Sequence, residues 1–371
     1  MRIVLLTPDL TGKSGWSRYA LDLGKALASR GHELHAVVSG KTGATWCREH
    51  VLLQAPTTYL DNAIMRWIDA MRLAHLLQKI TPGVVHVIAE PYALLLQPHE
   101  SRKTFMTIHG TYSTAPFQFG AKTAARFADA YRWLNGVIAV SHFTKQHVKE
   151  EVGSLWDEAH LEMKIRVIHN AVDISDMDRW ARPAPGVQKT ILSVSAIKKK
   201  KGYLQSIAAL AAFRHAHPDV AVQYDIVGSL TVNSAFVAEL RAAIEKHRLQ
   251  DIVSLRGGVS DDELRDAYLS ADVFLLPSMQ EGHYFEGFGL VFLEANMYGT
   301  PVIGPTGGGC PEAIKDGVSG YVVDPMDIDA IVDRLKKILL HRTIDPQACR
   351  AWTQRHDIRR AAETIERLYL Q

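Results

Sequence analysis

Cysteine is scarce. Cys47, Cys310 and Cys349 are the three in 371 residues, and they follow no framework spacing. That usage excludes a disulfide-stapled secreted fold and points to a reducing compartment. Neither Cys-x-x-Cys nor His-Glu-x-x-His occurs, so no metal centre is signalled and none is expected. The pair His215 and His217 sits in a polar helix end and reads as solvated. No apolar run approaches the ~20 residues of a membrane span. A strand-like run over residues 2–7 follows Met1 directly, so no signal peptide is expected and the setting is cytoplasmic. An excess of one charge is also lacking: 42 basic and 40 acidic side chains leave a formal +2, and nothing in that balance calls for nucleic acid. The fingerprint Gly-x-Gly-x-x-Gly is missing too, which disfavours an ordinary nicotinamide enzyme built from two dinucleotide-binding halves.

What is present is a long alternation of short apolar runs with helical patterns. Residues 2–8, 33–39, 84–89, 103–108, 136–141 and 166–170 read as strands, with helices over 16–29 and 63–80. Residues 180–188, rich in proline and glycine, read as a linker. The pattern then restarts, with strands expected at 190–195, 222–227, 253–256, 273–277, 301–304 and 320–323. The length favours two domains. The fold class is α/β: two Rossmann-like, doubly wound parallel-sheet domains facing a central cleft. Residues 1–180 form the first, 181–356 the second, and a charged amphipathic helix at 357–371 is a candidate to pack back on the first.

Polar punctuation gathers at strand ends, where open α/β sheets bind ligands. The Gly12 and Gly15 turn precedes a helix, an arrangement that can hold phosphate or serve as simple turn chemistry. His109, Ser141 and Asn170 close strands of the first half. In the second half Lys198, Lys199, Lys200 and Lys201 follow the first strand and suit a diphosphate. Gly257 and Gly258 end a further strand, and the triple-glycine turn at Gly307, Gly308 and Gly309 can present several N–H donors. Glu286 and Glu294 stand eight positions apart, the first ahead of a helix start and the second inside the helix. Paired carboxylates at one crevice suit vicinal hydroxyls. Phosphate plus polyol is what a nucleotide sugar offers.

These residues carry a resemblance. Glu286-Gly-Phe-Gly-Leu-x3-Glu294-Ala, then Gly-Thr-Pro-Val-Ile-Gly304, then Gly-Gly-x-Pro-Glu312, resemble the retaining glycosyltransferases of the GT-B fold, in the large family four (GT4, glycosyl transferases group 1). Pro277-Ser278, Val167-Ile-His-Asn-Ala-Val-Asp173, Gly15-Trp-Ser-Arg-Tyr19 and Arg30-Gly-His-Glu33 match less specifically. The resemblance implies a metal-independent, retaining hexosyltransferase (EC 2.4) that uses a UDP- or GDP-sugar as co-substrate and no other cofactor. It implies catalytic roles for Glu286, His109 and Lys201. Donor binding falls to Gly15, Lys201, Glu286, Phe288, Gly289, Leu290 and Glu294, with Gly257 placed beside them at a strand end. Glu286 would hold donor-sugar hydroxyls and Glu294 the ribose. Lys201 and the Gly15 N–H would hold the diphosphate, and His109 would lie beside the sugar. The acceptor, a carbohydrate or lipid-linked species of polysaccharide or glycolipid synthesis, would lie mostly on the first domain.

There are two departures. Ala196 stands where the family carries an arginine, so one phosphate contact of ~1.5–3 kcal/mol is missing. Lys198, Lys199 or Lys200 are the candidate substitutes. An insertion holding Glu281 and His283 separates Ser278 from Glu286, and the spacing to Glu294 selects Glu286. Ala196 also motivates an alternative, a non-catalytic sugar-nucleotide-binding subunit. The basic and aromatic residues at 63–72 and 112–126 suit peripheral contact with the inner face of a membrane, or belong to ordinary amphipathic helices.

Overall fold

The computed structural model describes residues 1–153, 162–184, 186–282 and 284–371; His283, and Pro185 of the linker, lie outside them. The chain forms two compact units, Met1–Asp173 with Asp357–Gln371, and Ile174–His356. The division falls ahead of the proline-rich stretch at 180–188.

The first unit holds a seven-stranded sheet in the order β3-β2-β1-β4-β5-β6-β7. Its strands are β1 (Arg2–Leu6), β2 (Glu33–Val38), β3 (Arg48–Val51), β4 (Val84–Val87), β5 (Lys103–Ile108), β6 (Gly136–Ala139) and β7 (Ile165–Val167). All neighbours pair in parallel. Strands buried on both faces read as continuous apolar runs, as Ile3-Val-Leu-Leu6 does, because helices cover each side. Those helices include α1 (Gly15–Ser29), α2 (Ala63–Ile80), α3 (Ala121–Trp133) and α4 (His142–Gly153).

The second unit repeats the plan with six strands ordered β10-β9-β8-β11-β12-β13. They are β8 (Lys189–Val194), β9 (Val222–Val227), β10 (Val253–Gly257), β11 (Val273–Leu275), β12 (Val302–Pro305) and β13 (Gly320–Val323), again all parallel. The helices used below are α5 (Tyr203–Ala216), α6 (Ser234–Lys246), α7 (Asp261–Ser270), α8 (Leu290–Met297), α9 (Ile328–Leu339) and α10 (Pro346–Gln354).

The closing helix, α11 (Ile358–Leu370), belongs to the first unit. Asp357 caps it through the Arg359 N–H (2.9 Å), and Ile358, Ala362, Ile365 and Tyr369 bury one stripe in the core that α1 also lines. Tyr369 reaches the fully buried His86, hydroxyl to Nδ1, at 2.6 Å. Glu366 meets His32 Nε2 at 2.8 Å and also pairs with Arg30. No helix among the described residues is long and apolar enough to cross a membrane.

Each sheet reverses its winding once, between β1 and β4 in the first unit and between β8 and β11 in the second. At such a switch point the flanking loops diverge and leave a crevice, the preferred ligand position in open α/β sheets.

Candidate active site

In the first unit, the loop leaving β1 is ordered by Asp9. Its carboxylate accepts from the Thr11 N–H (2.8 Å) and the Ser17 hydroxyl (2.6 Å), and Ser17 Oγ accepts the Gly12 N–H (2.8 Å). Burial works against the charge, but the bonds from Ser17 and Thr11 prevail, and the carboxyl titrates below its ordinary range. Ser14 caps α1 by accepting the Ser17 N–H (3.2 Å), and Gly15 is the first helical residue. The Gly15 N–H therefore has no intrahelical acceptor, and a side chain there would meet nothing within 4 Å. This is an open helix N-terminus at the switch point.

Glu90, just past β4, ties that helix to the loop after β5. Its two oxygens accept the Trp16 indole N–H (2.8 Å) and the His109 backbone N–H (2.7 Å). The side chain is fully buried, and burial pushes its carboxyl up to about 7 despite those donors. The His109 ring stands edge-on to Tyr19 with centroids 4.7 Å apart. Burial lowers this imidazole to about 3, so it is neutral at physiological pH. Its Nε2 is buried without a hydrogen-bond partner. A buried polar atom left unpaired costs ~1–3 kcal/mol, which a ligand hydroxyl would recover.

The second unit's switch point is built with tighter tolerances. A 3₁₀ turn, Lys199–Lys201, follows β8. Gly202 ends it at φ 75°, and a Cβ there would lie 2.0 Å from the Pro277 carbonyl oxygen. Only glycine lets the β8 turn press on the chain leaving β11. The Met279 N–H closes the same seam on the Lys200 carbonyl (2.7 Å). Lys201 is thereby aimed at Glu286, and its ammonium pairs with Glu286 Oε2. Burial disfavours the Glu286 charge, yet Lys201, by charge and hydrogen bond, and Lys200 outweigh it and hold the carboxyl below its ordinary value. The Lys200 ammonium lies 4.9 Å over the Tyr284 ring, and burial with Lys201 nearby lowers its affinity for a proton. Ala196, Lys198 and Lys199 are exposed and Lys200 is half-buried.

The main chain of Glu286 is pinned from the β12 side. Its carbonyl accepts the Gly309 N–H (2.8 Å), and a Cβ at Gly308 (φ 69°) would fall 2.6 Å from the same oxygen. The triple-glycine turn thus spends one of its expected phosphate donors on holding Glu286. Phe288 is buried, Gly289 turns the chain at φ 86° with no room for a side chain against Phe292, and Leu290 opens α8. The amides leading into α8 form a second helix N-terminus, suited to anions. Glu294 lies inside α8, half-buried, and accepts the Tyr268 hydroxyl proton at Oε2 (3.0 Å). Gly257 ends the edge strand β10 at φ 70°, where the ladder shifts register, and its carbonyl accepts the Gly228 N–H (2.9 Å). The left-handed φ accounts for that glycine locally.

The structure therefore brings Lys201, Glu286, Phe288, Gly289, Leu290 and Glu294 to one end of the second sheet, and Gly15 and His109 to the corresponding end of the first. Three organisers escape the sequence reading. Asp9 had a local signal, an acceptor two residues before Thr11. Glu90 and Tyr268 had none, since their partners are distant in sequence.

An arrangement of two all-parallel, doubly wound units is matched among solved structures. A glycosyltransferase from Rickettsia africae ESF-5 aligns with a TM-score of 0.77 at 19% identity, covering 99% of this chain and 97% of that one. Anabaena Alr3699/HepE, in complex with UDP and glucose, aligns with a TM-score of 0.73 at 16% identity, covering 99% and 98%. The fold is GT-B, that of a large class of glycosyltransferases. Residues 175–363 match the model described as Glycosyl transferases group 1, and residues 13–176 match Glycosyltransferase Family 4. The chain belongs to the glycosyl transferases group 1 family, within glycosyltransferase family 4. Among characterised relatives it is similar to the GDP-mannose-dependent alpha-(1-6)-phosphatidylinositol monomannoside mannosyltransferase of Mycobacterium tuberculosis, 33% identical over 159 residues, 42% of this chain and 40% of that protein. The matched region covers less than half the length of the first such relatives, 34–46%.

Proposed function

We propose that this glycosyltransferase moves a hexosyl group from a UDP- or GDP-sugar to an acceptor hydroxyl with retention of anomeric configuration. The observation that carries the reading is the Lys201–Glu286 pair, fixed at a switch point by Gly202 and set beside the N-terminus of α8.

The assigned roles follow from the chemistry of each group. The bond from the anomeric carbon to the diphosphate breaks, and negative charge grows on the leaving phosphate. Lys201 and the amides of Phe288, Gly289 and Leu290 offset that charge, as does the Gly15 N–H. Glu286, ionised at neutral pH, accepts hydrogen bonds from donor-sugar hydroxyls, and Glu294 accepts those of the ribose. Neutral His109 offers its unpartnered Nε2 to a sugar hydroxyl and places no positive charge near the reacting carbon. Retention does not require a carboxylate nucleophile in this scheme. The acceptor oxygen attacks from the face the phosphate leaves, and its proton passes to a phosphate oxygen. Positioning and electrostatics supply the rate, without a metal.

The setting we infer is cytoplasmic, with a carbohydrate or lipid-linked acceptor from polysaccharide or glycolipid synthesis. The test is product configuration by NMR with donor and acceptor panels. The donor's configuration is expected, with Glu286→Ala folded but nearly inactive. Inversion would reject the retaining assignment, and a fully active Glu286→Ala would reject the role of that acid.

A further inference from the structure

Helix α2 carries an apolar stripe on its outer side. Ile64, Trp67, Ile68 and Met71 fall at helical spacing and are 74%, 68%, 38% and 60% exposed. The opposite side of the same helix is spent on the core through Leu73, Leu77 and Ile80. A large apolar stripe left in water on one helix marks a surface that something covers.

Beside the stripe, between α2, α3 and the chain around Leu95, lies a groove of 540 Å³ whose lining includes Trp67 and Met71. Its floor is apolar, and four cations border it: Arg66, Arg102, Lys122 and Arg126. Two are held in place by oxygen atoms that carry no charge. Arg66 donates to the Tyr59 carbonyl (2.8 Å) and Thr123 Oγ1 (3.2 Å), and Arg126 Nε donates to the Leu94 carbonyl (2.8 Å). None of the four meets a carboxylate among the described residues. The nearest acid on α2, Asp69, is buried and committed to Tyr59 and Arg72. Arg102 Nε is buried without a partner. Burial, and for Arg66 the neighbouring Arg126, weakens the hold of Arg66 and Arg102 on their protons. Uncompensated guanidinium groups around an apolar trough call for an anion with an apolar body attached.

We propose that this face of the first unit docks on an anionic bilayer, with a lipid phosphate headgroup seated in the groove among Arg66, Arg102, Lys122 and Arg126. The stripe Ile64, Trp67, Ile68 and Met71 enters the headgroup–acyl boundary, where tryptophan is favoured. A bilayer satisfies both features at once, whereas a soluble phosphate compound leaves the stripe in water. The docking stands independently of the transfer chemistry.

The test is co-sedimentation of the full chain with vesicles of phosphatidylcholine alone, or of phosphatidylcholine with phosphatidylglycerol, at physiological salt. Binding is expected to the anionic vesicles and to be at least about tenfold weaker on phosphatidylcholine alone. Arg102→Gln and Arg126→Gln should each weaken it by about fivefold. Trp67→Ser with Met71→Ser, both exposed and so neutral for folding, should weaken it by about tenfold or more. Unchanged thermal unfolding shows that each variant is folded. Failure to sediment with anionic vesicles overturns the proposal. So does full binding by the Trp67→Ser, Met71→Ser variant, which would mean diffuse charge attraction. Displacement by millimolar inorganic phosphate also overturns it, in favour of a small soluble ligand.

Discussion

Replacing Gly202 by alanine tests the seam that aims Lys201. The glycine sits at φ 75°, and the added Cβ would lie 2.0 Å from the Pro277 carbonyl oxygen and 2.7 Å from its carbon. Real Cβ contacts essentially never fall under 3.0 Å, and the obstruction is backbone, so the two chains must part by roughly 1 Å. Left-handed strain in a non-glycine residue costs ~1 kcal/mol, and forced separation of packed chains adds ~1–3 kcal/mol. The total is about 2–4 kcal/mol. Gly317→Ala in the same unit is the control: φ is 72° there, but nothing lies within 4 Å of its Cβ, so it carries the strain alone. Urea unfolding followed through the second unit's transition should separate the two midpoints by roughly 1 M, given a slope near ~2 kcal/mol per molar. Turnover should fall further in Gly202→Ala than in Gly317→Ala, because the opened seam carries Lys201 away from Glu286. Equal destabilisation by the two alanines would refute the close-approach argument.

Other expectations are independent of that seam. Glu90 has its carboxyl raised from 4.5 to about 7, so its contribution to stability is full below pH 4.5 and declines as pH rises through about 7. That decline amounts to about 3 kcal/mol, and Glu90→Gln should flatten the stability–pH curve over the same interval; an unchanged slope would count against the buried carboxyl. Tyr268→Phe removes the donor to Glu294 and should raise the donor KM about fivefold with kcat nearly unchanged. A lower kcat at constant KM would place Glu294 in the chemical step instead. Tyr369→Phe leaves the buried His86 Nδ1 unpaired and should cost the first unit ~1–3 kcal/mol in thermal or denaturant unfolding. Undiminished stability would mean that the Tyr369–His86 bond adds nothing to the docking of α11.

Much of the architecture was legible because parallel strands covered on both faces are written as unbroken apolar runs. The segments 103–108, 222–227 and 320–323 coincide with strands, and 63–80 with α2. Strand β3 was not legible, since Arg48-Glu-His-Val51 at a sheet edge has neither an apolar run nor alternation, and two of its four residues are exposed. The loop-then-helix reading of Glu286 and Glu294 rested on Gly287 and Gly289, and α8 does begin just after Gly289. The Lys201–Glu286 pair was beyond sequence reasoning, because it joins positions 85 apart through a turn that Pro277 shapes. The Gly307, Gly308 and Gly309 turn shows the converse. Its glycines were legible as special, but composition does not show that Gly309 gives its N–H to the Glu286 carbonyl.

The most direct measurement of the central claim is the thermal stability of the purified chain with saturating UDP-, GDP- and ADP-sugars, taken in parallel on Glu294→Ala. A donor at 100 times its dissociation constant should stabilise the native chain by ~2.7 kcal/mol, and the variant should lose most of that gain. No stabilisation by any of these compounds, or the same gain without the Glu294 carboxylate, would contradict the account.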